Sequence, residues 1–119
     1  MSTVFDQNRG INMGYISEPT EAEFAALYRL LKIAGGNTGQ CRHVASFLLA
    51  WANSGGFGAW NPVDLWSVDE EIARDELAVL GMIARSRGYP DNYGLRDEIQ
   101  AIARKWRPEV CAKFKDQDA

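Results

Sequence analysis

Thr20-Glu21-Ala22-Glu23-Phe24-Ala25-Ala26-Leu27-Tyr28-Arg29-Leu30-Leu31-Lys32-Ile33-Ala34-Gly35-Gly36 is the stretch that decides the fold class. Thr20 and Glu23 have capping-box spacing, in which the hydroxyl takes one free helix N–H and the carboxylate takes another. Pro19 stands just before them, where a helix entrance tolerates it. Phe24, Leu27, Tyr28 and Leu31 then fall at i, i+3, i+4 and i+7, the spacing of one apolar stripe on a helix. Gly35-Gly36 ends the run, since glycine takes a left-handed C-cap without strain.

The same pattern repeats along the chain. Asn37 or Thr38 caps a second helix running to about Asn53. Cys41, Val44, Ala45, Leu48 and Ala52 form one of its faces, and Phe47 and Trp51 lie on another. A helix apolar on more than one side belongs at the centre of a bundle. Ser54-Gly55-Gly56-Phe57-Gly58-Ala59-Trp60 is expected to break it, because three glycines free the backbone. Asn61-Pro62 reads as an N-cap with proline at N1, opening a short turn through Leu65-Trp66.

Ser67 and Glu70 have the spacing of a second capping box, ahead of a third helix over about 68–87. Its main face is Ile72, Val79, Leu80 and Ile83, with Ala73, Leu77 and Ala84 alongside. Gly88-Tyr89-Pro90-Asp91-Asn92 is a stop and turn. A fourth helix over 94–106 carries Leu95, Ile99, Ile102 and Trp106 on one side. Pro108 is expected to end it, with one more turn over 109–115. Val4-Phe5 and Tyr15-Ile16 are the only strand-like pairs.

The fold expected is therefore all-α: a compact bundle of four main helices with a short extra helical turn and an irregular N-terminal arm. The arm is residues 1–16, the single helical domain 17–115, and the frayed tail 116–119. A length of 119 residues suits one domain. The 46% hydrophobic fraction supplies a core without staples. The two cysteines, Cys41 and Cys111, are too few for a disulfide framework. The N-terminus has neither the basic region nor the apolar region of a signal peptide. No run is long and apolar enough to span a bilayer. The expectation is a cytoplasmic protein that does not enter the membrane.

Net charge is −3, the wrong sign for a nucleic-acid-binding footprint. Residues 1–84 carry five basic and ten acidic side chains, and residues 85–119 carry eight and six. That polarity could orient the protein on a charged partner.

The inventory for chemistry is thin. Zinc needs about four nitrogen or sulfur ligands, and this chain offers one histidine and two cysteines. Cys41 and His43 are two apart and point in different directions on a helix, so both read as structural. Gly35-Gly36-Asn37-Thr38-Gly39-Gln40 lacks the Lys-Ser/Thr of a phosphate loop and reads as a helix connection. No metal, no cofactor and no catalytic residue is expected.

The most distinctive stretch is 64–76, where six acids face one arginine. Asp69, Glu70 and Glu71 suit the first turn of a helix, where the macrodipole favours negative charge. Asp64, Asp75 and Glu76 extend the acidic strip beyond that turn. Trp60 and Trp66 flank it, and tryptophan is enriched in binding hot spots. Acids beside aromatics suit a basic protein partner. The expected protein-binding residues are Phe57, Trp60, Asp64, Trp66, Asp69, Glu70, Asp75 and Glu76. The alternative is a small DNA-associated regulator using Arg96, Arg104, Lys105 and Arg107, against which Asp97 and Glu98 count on the same helix.

Gly36-Asn37-Thr38-Gly39-Gln40, then Arg42 to Trp51, Gly55-Gly56-Phe57, Asp64 to Asp69 and Tyr89-Pro90 together carry a resemblance. Over residues 24–107 the chain resembles an uncharacterised family of small bacterial proteins encoded on plasmids, integrative elements and prophage islands. The resemblance implies a setting and transfers no catalytic residue. Small acidic proteins of such elements are often anti-defence factors, anti-CRISPR proteins among them. It therefore implies a non-catalytic factor that binds a protein partner, with a CRISPR effector subunit as the candidate, and nucleic acid is not expected as the ligand.

Overall fold

The computed structural model describes residues 16–118. Its α-helices are α1 (Glu21–Ala34), α2 (Gly39–Phe57), α3 (Glu70–Ser86), α4 (Arg96–Trp106) and α5 (Pro108–Asp118). Short 3₁₀ segments at Pro62–Ser67 and Pro90–Tyr93 lead into α3 and α4. Among the described residues there is no strand, so Ile16 is not part of one. Val4, Phe5, Tyr15 and the rest of the expected arm lie outside the described residues. No helix among those described is long and apolar enough to cross a membrane.

The all-α expectation is met, but the four-helix count is corrected. The fourth helix ends before Pro108, as expected, but the extra turn is a full helix, α5, opened by Pro108 and as long as α4. Proline costs nothing at a first helical position, where its missing N–H has no partner to lose. Arg107 leaves helical geometry between the two helices, and its carbonyl accepts from the N–H groups of Val110 and Cys111. α5 runs to Asp118.

α1 begins as expected. Thr20 Oγ1 accepts from Glu23 N at 3.1 Å, and Thr20 N donates to Glu23 Oε1 at 2.9 Å. Its end differs. Gly35 is right-handed, with φ −81°, so no left-handed cap forms. Gly36 serves another purpose: a Cβ there would lie 2.6 Å from Cys41 Sγ and force that side chain to shift. Thr38 caps α2, its hydroxyl accepting from Cys41 N. At Asn53 the backbone leaves helical geometry, where the sequence placed the end of the helix, and one further turn runs on to Phe57. Gly58, at φ 105°, then turns the chain out.

The core lies between the first four helices. It comprises Leu27, Leu30 and Ala34 of α1, Val44, Ala45, Phe47, Leu48 and Leu49 of α2, Val79 and Met82 of α3, and Leu95, Ile99, Ile102 and Ala103 around α4. α2 is buried on more than one side, as its sequence implies. The α1 stripe is rotated from the expected one. Tyr28 is exposed and stacks on Phe24, while Ala26 and Leu30 turn inward, because α1 packs against both α2 and α3.

Two ion pairs fasten α1 to α3. Arg29 donates to both oxygens of Asp75 at 2.8 and 2.9 Å. Arg85 donates to both oxygens of Glu23 at 2.6 and 2.7 Å. That fork holds the Glu23 carboxyl down at about 2, working against the burial that would raise it. α4 is tied to α1 by Trp106, which donates to the Ala34 carbonyl at 2.7 Å. Trp51 on α2 donates to the Gly88 carbonyl at 2.9 Å. Both of these indoles thus serve packing, as expected.

Candidate functional site

The segment Pro62–Ser67 is assembled from local turn chemistry. Asn61 Oδ1 accepts from Val63 N at 3.1 Å, and Pro62 supplies a preset φ at the first position. Its six residues include none that is fully buried. Leu65 is half-buried, whereas Trp66 projects outward with 84% of its surface exposed and Val63 is 44% exposed. A bare indole of this kind has no structural employment within the described chain.

The start of α3 departs from expectation. Ser67 and Glu70 do not form a capping box: the N-cap is Asp69, and its side chain makes no cap hydrogen bond. Gln40 of α2 does the work instead. Its Oε1 accepts from Asp69 N, and its Nε2 donates to Asp69 Oδ2 at 3.3 Å. A long-range amide clamp has replaced the local box and fixes the C-terminal side of the segment to α2.

The expected binding residues are scattered by the fold. Trp60 is half-buried, edge-on to Phe47 with ring centres 5.0 Å apart, so it closes the end of the bundle. Phe57 is half-buried against Phe114. Asp75 is occupied by Arg29, and Glu70 by Arg74 at 2.6 Å. Asp64 lies 3.5 Å from His43 Nδ1. Trp66, Asp69 and Glu70 remain on the surface, with Asp69 engaged by Gln40. A continuous surface of eight residues is therefore not formed.

Glu76 is the largest departure. The acidic strip put it on the surface, yet it is 1% exposed in the α3 core stripe. Neither of its oxygens has a hydrogen-bond partner among the described residues. Burial raises its pKa to about 7, and the negative charge of Asp64 adds to the effect. Trp60 Nε1 is likewise buried without a partner. The signal was present in the sequence: Glu76 lies at i+4 from Ile72 and i−3 from Val79, inside the apolar face already identified. His43 and Gln40, which join this end of the molecule, gave no such signal because their partners are distant in the chain.

The basic residues of the DNA alternative are not all free. Arg107 donates inward to the Phe57 carbonyl at 2.9 Å and to Ser46 Oγ at 3.2 Å. Lys105 donates to Asn37 Oδ1 and lies over the Trp106 ring. Among the described residues, no group of three or more metal-ligating side chains is placed to hold an ion.

Residues 24–107 match the model of a family of unknown function, DUF7673. The chain belongs to that family. No curated protein and no solved structure matches it. The DUF7673 region includes Gln40, His43, Trp60, Asp64, Trp66 and Glu76, so the exposed indole and the buried acid both lie within it. The Thr20 cap and α5 lie outside.

Proposed function

We propose that this protein acts without catalysis, by binding another protein through the segment Pro62–Ser67, with Trp66 as the anchor. The observation that carries this reading is the 84% exposure of a tryptophan on a short element built outside the core. Leaving an indole in water forfeits the burial energy that a core position would supply. A partner pocket recovers it, and anchors of this type dominate interface energetics. Val63 widens the apolar contact. Glu70 and Glu71, exposed at the start of α3, provide a negative rim. The partner of matching chemistry is a protein with a basic face around an apolar pocket.

The resemblance to proteins of mobile elements supports a particular source for such a face, namely a host nucleic-acid-binding complex. A CRISPR effector subunit is the first candidate, and the protein would then be an anti-CRISPR-like inhibitor. The alternative role as a small DNA-associated regulator draws less support, since Arg107 is spent inside the fold.

Titration of the purified chain against a panel of purified CRISPR effector complexes, with and without bound DNA, tests this proposal. Binding that competes with DNA and falls at least about 30-fold in Trp66→Ala supports it. Binding unaffected by Trp66→Ala, or absent across the panel, would overturn the anchor or the partner class respectively.

A further inference from the structure

Glu76 carries a carboxyl group into the core with no hydrogen bond to either oxygen among the described residues. Ionised and unpaired in such a place, a carboxylate is expensive; protonated, it is far cheaper. The titratable groups that surrounding elements bring to this end are few. The segment Pro62–Ser67 supplies Asp64, whose charge acts on Glu76. α2 supplies His43, which is 3.5 Å from Asp64. From α1 comes Arg29, which is already held by both oxygens of Asp75. Glu23 and Arg85 hold each other elsewhere along the α1–α3 contact.

Ionisation of Glu76 therefore sets two carboxylates against each other across the contact between α3 and the 3₁₀ segment. Something must yield, and the packing says which element. α3 is fastened by two bidentate ion pairs and by the buried Val79 and Met82. α2 is the centre of the core. The 3₁₀ segment has no buried residue, begins shortly after Gly58 at φ 105°, and ends at the Gln40–Asp69 clamp. It is the element with the least to lose.

We propose that Glu76 is a proton-operated latch: protonated, it lets the segment Pro62–Ser67 seat on α2 and α3; ionised, it draws water into the contact and releases the segment that displays Trp66. Departure of the segment hydrates the Glu76 carboxylate. The proton goes to bulk solvent, and no other group is needed. The consequence for partner binding rests on the reading of Trp66 given above: a seated segment presents Trp66 in one orientation, and a released one does not.

Hydrogen–deuterium exchange on the full chain, corrected for the pH dependence of intrinsic exchange, tests the latch without any partner. Protection of residues 60–68 should fall about tenfold or more between about pH 5 and 7, while residues 44–49 of α2 keep theirs. The fall should be essentially complete a little above 7, with its midpoint between the ordinary 4.5 and 7. Glu76→Gln should remain protected throughout the range. Asp64→Asn should keep the transition and move its midpoint to lower pH, since removing a like charge eases ionisation. Protection independent of pH, a transition that survives in Glu76→Gln, an unmoved midpoint in Asp64→Asn, or parallel loss in α2 would each overturn the proposal. Partner binding through Trp66 is measured separately, so the latch can fail while the binding reading stands, and the reverse.

Discussion

Replacing Glu76 by glutamine should stabilise the protein at alkaline pH and have much less effect at acidic pH. The side chain keeps its shape and loses its ionisation. The native carboxyl titrates near 7 against an ordinary 4.5. Between those values the folded chain binds more protons than the unfolded chain, so stability falls as pH rises. The contribution of the protonated acid is intact below 4.5 and is lost as pH passes through 7. At ~1.4 kcal/mol per pH unit, the gap amounts to about 3 kcal/mol. On a urea slope of about 2 kcal/mol per M, that is a midpoint difference of about 1.5 M. Urea unfolding followed by far-ultraviolet circular dichroism at about pH 5 and pH 8.5 gives the comparison. Other titrating groups are common to both proteins and largely cancel in the difference. The advantage of Glu76→Gln should be far larger at the higher pH. An advantage equal at both values would show that Glu76 is not a buried titrating acid, and the reasoning about the latch would fall with it.

The remaining predictions probe other parts of the fold. Trp66→Ala should change stability by less than about 0.5 kcal/mol in thermal melts, because an exposed ring gives up no packing. Glu23→Gln should cost about 1–2 kcal/mol at neutral pH after allowance for solvent screening, and should flatten the acid limb of the stability curve. The sign follows from the depressed pKa of Glu23: its contribution is present above 4.5 and disappears as pH falls through about 2. Gly88→Ala should destabilise by about 1–3 kcal/mol in urea, since the new Cβ would lie 2.5 Å from the Tyr93 hydroxyl. Gly39→Ala, with nothing within 4 Å at the start of α2, should instead stabilise by up to about 1 kcal/mol.

How much was legible in the sequence follows from the range of the interactions involved. Thr20–Glu23, Thr38 and Asn61-Pro62 act within three residues, and each was readable. The apolar stripe of α4 was readable too, since Leu95, Ile99 and Ile102 on its single apolar face are buried. α1 packs against two helices, and its burial rotated away from the stripe that one face would select. The Ser67–Glu70 box illustrates the opposite limit. The local pattern was present, but Gln40, 29 residues away, took the cap. Pro108 was ambiguous by nature, since proline both ends one helix and opens the next. At the candidate site, the exposure of Trp66 and the burial of Trp60 could not be separated by composition. Both are tryptophans in a loop-rich stretch, and only the position of Phe47 decides between them.

Glu76 joins the stability of the fold to its proposed use, and the two can be measured against each other. A carboxylate locked in the core would express its whole penalty as lost stability. A carboxylate able to escape by releasing a weakly seated segment expresses only the free energy of that release, whichever is smaller. The depth of the pH-dependent loss is therefore a lower bound on the strength with which Pro62–Ser67 is held, and equals it where the loss stops short of the full penalty. If the loss levels off well below about 3 kcal/mol while exchange in residues 60–68 accelerates, the segment opens before the core yields. If the full loss appears and exchange rises evenly across α2 and α3, the segment is held as firmly as the helices. In that case Glu76 destabilises the whole protein at alkaline pH, and Trp66 is displayed at every pH at which the chain is folded.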